Sequence, residues 1–520
     1  MTADDACKLL DIFFADPGTV GPITSCPYVL SPILRRQSLQ RDTNPRPVST
    51  ALLAIILWCV SHTAKLSLFP DSRARARVTQ RLYFLSMKLL RARDCDTWNQ
   101  AGGDWASPSD MPLYGTSVDP RPSAGYDGKP EQNVDDVLSY VLLTCVVSGT
   151  EFKDECLKWW KKAVRLVKRL GLDSEARMAE NTPPSQQMSL AAHEEHEERR
   201  RVFWLVYALD RHLALSFNKP LHIADSECRV LCPLPERVWQ DLENTPWEDI
   251  PARIIGPPTH ITGTSFFEYF LPLMTILGDI VELRSRNQHQ CLRGFDESYL
   301  TATIEALLAD CACSLQMLQA VQPSPVVSSD ELLKLPYSPS FFSDSATHTN
   351  TTNLEPRTTE IAVAYGQYMV EVLQILLYGG MMPVTTTVAD ASCAQLACAA
   401  HAIAAAEAID QILNVDRDLS FIPFAFGTYL LHGSLNFVSL AHQMSRDGAV
   451  DLAKQGCEAV LRAHNVALKT LDPSFQTHLT RIVRQHRIVI DGGNPQFNDA
   501  VDSLRRESFM TNQSVNCGSI

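Results

Sequence analysis

The stretch from Glu194 to Pro235 constrains the fold more strongly than any other part of the chain. It opens with charged residues, among which Glu197 and Arg201 have the i, i+4 spacing that supports a helix. An unbroken apolar run, Val202–Leu209, follows directly. A helix that is apolar on nearly all sides is buried on most of them, so the stretch predicts a central helix in a helical core.

Within this helix we expect the aromatic side chains of Trp204 and Tyr207 to be buried, because apolar residues surround them in sequence. Asp210 and Arg211 follow, and an unpaired buried charge is costly. At least one of them is therefore expected to form an intramolecular salt bridge or to cap the loop that follows. The helix should end before Pro220, since the residue preceding a proline is pushed out of the α region.

Apolar residues recur at helical spacing along the rest of the chain, and we find no alternating strand pattern and no βαβ rhythm. The prediction is an all-α fold of packed antiparallel helices with long loops, one of them at 99–131. Its predicted parts are a proline-rich irregular segment at 1–48, a helical domain at 49–321, a Ser/Thr/Pro-rich linker or loop at 322–360, a C-terminal helical region at 361–490 and a tail at 491–520.

Net charge, cysteine distribution and the length of apolar runs argue against several classes of protein. The formal net charge of −13 repels phosphates, so the chain as a whole does not look like a DNA clamp. Its 15 cysteines are scattered, often in apolar surroundings, which is typical of reduced thiols in a nuclear or cytosolic protein. The longest apolar run, Ala51–Val60, is about half the length of a membrane span. We therefore expect an intracellular protein with no membrane contact.

Candidate chemical sites are few. His193 and His196 flank two glutamates, but a zincin helix needs its histidines four residues apart, and a charge run is usually a solvated face. No Cys-x-x-Cys pair, phosphate-binding glycine loop or Gly-x-Ser-x-Gly elbow occurs. We expect no catalytic, cofactor or metal residues, and therefore no enzyme. The basic residues of Lys158–Arg169 fit a solvated helix face better than a nuclear import signal or a phosphate contact.

Several blocks, in order, resemble one protein family. EERRRVFWLVYALDRHLAL, NKPL and ADSEC, together with the earlier run DDVLSYVLLTCVV, resemble the middle homology region of fungal zinc-cluster transcription factors. Within that family the resemblance is closest to the xylanolytic activators of the XlnR type, and it runs from about residue 29 to about residue 490. The residues that fall on the family motif are Arg200, Arg201, Trp204, Tyr207, Asp210, Arg211, Pro220 and Cys228.

The resemblance implies a regulator of transcription, without a catalytic role, that acts in the nucleus or shuttles between nucleus and cytoplasm. It identifies residues 49–321 as the regulatory domain of the family. In that family an α-helical body tunes the activation of xylan- and cellulose-degrading genes in response to sugars. It also implies a homodimer or a heterodimer with related transcription factors, and contact with the transcription machinery.

The chain departs from the family at the DNA-reading part. The family uses six N-terminal cysteines to hold two zinc ions, and that cluster is absent here, so no zinc cofactor is expected on this chain. DNA would be reached only indirectly or through a missing N-terminal module. The alternatives are a truncated sequence, a DNA-binding-deficient paralogue that acts by dimerisation, a regulator of a secondary-metabolite gene cluster and, less favoured, an α-helical enzyme.

Overall fold

A computed structural model gives the fold of the chain. It describes residues 1–15, 25–31, 33–64, 69, 71–94, 131–148, 153–180, 189–288, 297–320, 354–379, 388–421, 426–434, 436–437 and 450–470. Four parts of the prediction lie outside the described residues: residues 99–130 of the predicted loop at 99–131, most of the predicted linker, residues 471–490 of the predicted C-terminal helical region and the predicted tail.

The described residues are helical, as predicted, and contain no β-sheet; two isolated bridges, Ser174 with Arg229 and Leu231 with Ile255, are their only strand-like pairings. The helices are α1 Ala3–Phe13, α2 Arg36–Gln40, α3 Thr50–Ser61, α4 Ser72–Arg93, α5 Val134–Ser148, α6 Lys153–Arg169, α7 Glu175–Glu180, α8 Leu190–Phe217, α9 Glu236–Gln240, α10 Leu271–Gln288, α11 Glu297–Ala320, α12 Leu354–Gly379, α13 Val388–Val415 and α14 Val450–Thr470. Residues 426–434 are also helical.

The central helix is α8, which is 28 residues long. The hydroxyl of Ser189 caps its start by accepting a hydrogen bond from the backbone amide of Ala192. Asn218 ends it in the left-handed conformation with φ 48°, and the amide of Lys219 donates back to the carbonyl of Ala214. The helix therefore stops two residues before Pro220, in agreement with the sequence-based prediction.

Two boundaries differ from the sequence-based prediction. The composition of residues 175–192 predicts a polar connection before α8, but this stretch contains α7, whose Glu175 pairs with Arg200 of α8. Helix α12 begins at Leu354, inside the predicted linker. In both places the polar composition hides a helix that is stabilised by contacts with distant residues.

Helix α8 lies against α5, α6 and α10, and α3 packs against α1, α4 and α5. The later helices continue this packing, since α11 contacts both α10 and α12, and α13 contacts α12 and α14. A single apolar core extends through all these layers, from Leu9 in α1 to Ala467 in α14. The core places α8 at its centre, where nearly every residue from Val202 to Leu215 is buried.

Among the residues that the structure describes, two stretches are long and apolar enough to cross a membrane, Arg357–Gly379 of α12 and Ala394–Val415 of α13. A core helix passes the same test, and 83% of the most apolar window in α12 is buried inside the fold, compared with 39% in α13. Packing against α11 and α13 accounts for the apolar composition of α12.

Candidate functional site

The charged opening of α8 is buried, and its acidic side chains hold the N-terminal part of the chain. Glu194 is 2% exposed. Its carboxylate accepts hydrogen bonds from Arg35 Nη1 at 2.7 Å, Ser38 Oγ at 2.6 Å and Arg41 Nη2 at 2.8 Å. Three donors around one carboxylate offset the cost of removing it from water.

One turn later, Glu198 makes an equivalent contact. Arg46 donates from Nε at 3.0 Å and from Nη2 at 2.9 Å to the same carboxylate oxygen. The Nη1 atom of Arg46 lies 2.7 Å from Asp135 of α5, which also accepts from the backbone amide of Ser49 at 2.6 Å. Arg46 therefore connects α8, α5 and the start of α3.

Glu197 holds the loop on the other side of α8. It accepts from the amide of Leu234 at 2.6 Å and from Arg253 Nη1 at 2.7 Å, and it pairs with Arg201 at 3.4 Å. Arg201 in turn donates to Glu236 at 2.7 Å and to the carbonyl of Leu234 at 2.8 Å. The predicted Glu197–Arg201 pair is present, and it belongs to a larger buried network.

The Arg201 guanidinium is wholly buried between aromatic rings, 4.9 Å from the centroid of Trp239 and 5.2 Å from that of Phe267. Cation–π contacts of this kind are strongest when water is excluded. Arg200 lies on the neighbouring side of the helix, where it forms a bidentate salt bridge with Glu175 at 2.8 and 2.9 Å.

The charged run was expected to be a solvated helix face, and for most of its residues this is wrong. The buried positions 194, 197, 198 and 201 follow the i, i+3, i+4, i+7 spacing of one helix face, and they continue the face that the apolar run buries. That spacing is the signal that sequence reasoning missed. Glu195 is the exception, since it is exposed and pairs with Arg199 only at 3.6 Å.

The aromatic residues of α8 are buried, as predicted. Trp204 and Tyr207 are both 0% exposed. Trp204 Nε1 donates to the carbonyl of Leu231 at 2.8 Å, and the Tyr207 hydroxyl donates to Asp225 at 2.8 Å. Burial raises the pKa of the Tyr207 hydroxyl, which stays protonated and acts as a donor to the loop.

The prediction for Asp210 and Arg211 is also confirmed. Asp210 Oδ2 accepts from the backbone amides of His222 at 2.8 Å and Ile223 at 3.0 Å. Arg211 Nη2 donates to the carbonyl of Ile223 at 2.8 Å and to Asp225 at 2.5 Å. The two side chains therefore fix the loop that follows α8 onto the last turns of the same helix.

The remaining motif residues lie around this loop. Pro220 is exposed and follows the left-handed cap, while Cys228 is buried with its thiol 3.4 Å from the carbonyl of Ala224. Burial raises the pKa of Cys228 to about 12, so the thiol remains protonated and unreactive. The structure therefore brings all eight motif residues to α8 and its loop, where they have packing and hydrogen-bonding contacts.

The histidines that flank the glutamates do not form a zincin arrangement. The carboxylate of Glu194, which lies between His193 and His196 in sequence, accepts hydrogen bonds from Arg35, Arg41 and Ser38. In the part of the chain that the structure describes, no three His, Cys, Asp or Glu side chains are grouped to hold a metal ion.

The basic face of α6 is exposed at Lys161, Arg165 and Lys168. Some of its charges have partners, since Lys162 pairs with Asp94 at 2.5 Å and Lys168 with Glu227 at 3.0 Å. These pairs join α6 to neighbouring segments of the fold, and the face has the properties of an ordinary solvated surface.

Comparison with known proteins gives a consistent family match. The fungal specific transcription factor domain matches residues 10–307 of the chain. The xylanolytic transcriptional activator xlnR of Emericella nidulans is 34% identical over 96% of this chain and 60% of its own length. The xlnR proteins of Aspergillus clavatus and Aspergillus niger are 31% and 32% identical over 96% of this chain, which corresponds to 56% and 58% of their lengths.

The chain thus spans less than two thirds of the length of these curated relatives. No solved structure matches the chain.

Proposed function

Because the chain belongs to the fungal specific transcription factor domain family, we propose that it regulates transcription. The observation that carries the proposal is the similarity to xylanolytic activators along 96% of the chain, including all of α8 and its loop. The structural contacts of the motif residues support a regulatory body, because the charged side chains of α8 contact other parts of the fold.

We further propose that the target genes encode enzymes of xylan breakdown, as the names of the relatives suggest, together with enzymes of cellulose breakdown. The protein acts in the nucleus as a homodimer or as a heterodimer with a related transcription factor, and it contacts the transcription machinery. The second candidate is a secondary-metabolite gene cluster as the target. The similarity to xlnR proteins favours the first candidate.

The 520 residues contain no Cys-x-x-Cys pair, and a binuclear zinc cluster of this family needs two of them. We propose that DNA is reached through a zinc cluster outside these residues, carried either on the same polypeptide or on a dimerisation partner. The present chain then supplies control of activity, and the cluster supplies phosphate and base contacts.

A tethering experiment tests the regulatory role. The 520-residue chain is fused to a DNA-binding domain of unrelated origin and assayed on a reporter gene in a fungal host, with xylose or glucose as the carbon source. We expect reporter transcription to differ from that of the DNA-binding domain alone, and to respond to the sugar. Identical transcription in both carbon sources and in the unfused control would contradict the proposal.

The target genes are tested separately by deleting the gene in its own fungus and measuring transcripts on xylan. Loss of transcripts for polysaccharide-degrading enzymes supports the xylanolytic proposal. Unchanged levels of these transcripts, with altered levels of one contiguous biosynthetic cluster, would favour the second candidate.

A further inference from the structure

Two buried cysteines from distant parts of the sequence contact each other. Cys26 lies in the irregular segment at 25–31, and Cys59 lies in the last turn of α3. Their sulfur atoms are 3.9 Å apart, and the side chains are 2% and 0% exposed. A disulfide has an S–S distance of about 2.05 Å, so a closure of about 2 Å would join them.

The surroundings of the two thiols differ. Burial opposes ionisation of Cys26, but hydrogen bonds from the Cys59 thiol, from nearby backbone amides and from the Thr63 hydroxyl at 3.7 Å outweigh it and lower its pKa. The pKa of Cys59 is raised, because its thiol is engaged with Cys26 and is buried. Cys26 is therefore the thiol of the pair that ionises first.

The contact joins the irregular segment at 25–31 to helix α3. Tyr28 packs edge-on against His62, and the amide of Val29 closes a turn onto the carbonyl of Cys26 at 3.1 Å. Residues 28–31, Ile33 and Leu34 then line a small apolar cavity between α1, α3, α5 and α8. The chain continues into Arg35, which binds Glu194 of α8. We call residues 25–31 and 33–46 the N-terminal arm; it contacts α3 through Cys26 and α8 through Arg35.

We propose that Cys26 and Cys59 are a modification site, at which a peroxide oxidises them to a disulfide that fastens the N-terminal arm to α3. In the proposed closure Cys26 moves toward Cys59, since residues 25–31 lie outside regular secondary structure and Cys59 belongs to a helix. The inference concerns the fold itself and does not depend on which genes the protein regulates.

The reaction balances with hydrogen peroxide as the oxidant. The Cys26 thiolate attacks one peroxide oxygen, the O–O bond breaks, and a sulfenic acid and water form after proton uptake. The sulfur of Cys59 then attacks the sulfenic sulfur, the S–O bond breaks, and the hydroxyl leaves as water with the thiol proton of Cys59. In total, two thiols and one peroxide give one disulfide and two waters.

The test uses the purified 520-residue chain in its folded state. It is treated with a small excess of hydrogen peroxide, quenched, denatured and alkylated, and non-reduced peptides are mapped by mass spectrometry. We expect a Cys26–Cys59 linked peptide and a fall of two in the number of thiols that can be titrated, from the 15 in the sequence to 13. Dithiothreitol should restore both thiols. Absence of the linked peptide, or oxidation of other cysteines before this pair, would overturn the proposal.

Matched variants separate the disulfide from general effects of cysteine loss. Cys26→Ala and Cys59→Ala should each abolish the linked peptide. Cys311→Ala should retain it, because Cys311 is a buried thiol that contacts the carbonyl of Thr259 and whose pKa burial raises to about 12.

Hydrogen exchange of the wild-type chain provides an independent measurement that needs no variant. Oxidation should slow amide exchange in the N-terminal arm and leave α13 unchanged. Equal exchange of the arm in the reduced and oxidised proteins would contradict the proposed fastening.

Discussion

At the scale of single residues, α8 contains glutamates that neighbour each other in sequence but differ fully in environment. Glu197 is buried and binds the Leu234 amide, Arg253 and Arg201. Glu195 is exposed to solvent, and its carboxylate lies 3.6 Å from Arg199. The loss of stability on removing a carboxylate depends on whether its hydrogen-bond donors are buried and left without an acceptor. These two residues therefore form a matched pair for measurement.

Glu197→Ala should lower the free energy of unfolding by about 3–5 kcal/mol, because it leaves the Leu234 amide without its acceptor and removes a carboxylate partner from both Arg201 and Arg253. Glu195→Ala on the same helix should cost less than about 1 kcal/mol, since exposed ion pairs contribute little. Urea denaturation of both variants measures the difference. Equal costs for the two would show that the buried network contributes nothing beyond a surface pair.

Trp204→Ala should cost about 3–5 kcal/mol, because it opens a cavity in the core and removes the hydrogen bond to Leu231. Tyr299→Ala is the control, since Tyr299 is 71% exposed on α11 and its loss should change stability little. Thermal melts followed by circular dichroism compare the two. A Trp204→Ala melt that coincides with the wild-type melt would place this side chain outside the core.

At the scale of elements, the loop that follows α8 is held against the helix by side chains of α8 itself. Asp210 binds two loop amides, Arg211 binds a loop carbonyl and Asp225, and Trp204 binds the carbonyl of Leu231. The loop contains little regular structure, so these side chains replace the backbone pairing that a sheet would provide. The order of the loop should therefore depend on the side chains of α8.

Asp210→Ala should speed amide exchange at His222 and Ile223 by on the order of tenfold to a hundredfold, because each amide loses a charge-assisted bond worth about 1.5–3 kcal/mol. Exchange in α13 should be unchanged and serves as the internal control. Hydrogen exchange with mass spectrometry gives both values. If the loop exchanges at the wild-type rate, Asp210 does not hold it.

Helix α10 carries a carboxyl whose environment predicts a pH dependence. Burial, with Asp225 and Glu282 nearby, raises the pKa of Asp279 to about 6, although Arg211 and Arg286 act in the opposite direction. In the unfolded chain the same group has a pKa of about 3.9. Between these values the folded state binds more protons, so this group makes the protein less stable as the pH rises from about 4 to above 6.

Asp279→Asn removes the ionisable group and should therefore remove the fall in stability between pH 4 and pH 6. At pH 7 the variant should be more stable than the wild type by about 1 kcal/mol, a value reduced for solvent screening of a partly exposed group. The difference should disappear near pH 4. The exposed Asp310→Asn on α11 is the control, for which we expect no comparable gain. Urea denaturation at pH 4, 5.5 and 7 tests this; a difference that does not grow with pH would contradict the assignment.

At the scale of the whole molecule, the body combines a net charge of −13 with a helical core and no Cys-x-x-Cys pair. Specific DNA binding needs basic groups at the phosphates and side chains at the base edges. These 520 residues show neither a net positive charge nor such a motif. This is the basis of our proposal that a separate zinc cluster reads the DNA.

We predict that the purified chain contains no stoichiometric zinc and shows no sequence-specific affinity for DNA at physiological salt. Elemental analysis measures the metal, and a salt titration with a labelled promoter fragment measures binding. A chimaera with a six-cysteine cluster and linker at its N-terminus is the positive control, and it should gain both zinc and promoter binding. Two zinc ions per unmodified chain, or specific binding that survives competitor DNA, would contradict the prediction.

The sequence alone determined the helical fold, the position and end of α8, and the burial of Trp204 and Tyr207. Each of these follows from a local pattern: apolar periodicity, a proline that excludes the α region, or an apolar run too long to stay in water. The pairing of Asp210 and Arg211 with the loop could be predicted for a related reason, since the cost of a buried charge requires a partner nearby.

Only the tertiary structure decided what the buried charges bind. The partners of Glu194 and Glu198 lie 152 to 159 residues away in sequence, and Cys26 meets Cys59 across 33 residues. A run such as EEHEERRR has the same composition whether water or distant arginines surround it. The free energy that favours burial comes from charge pairing between segments that only the folded chain brings together, and no local pattern encodes that pairing.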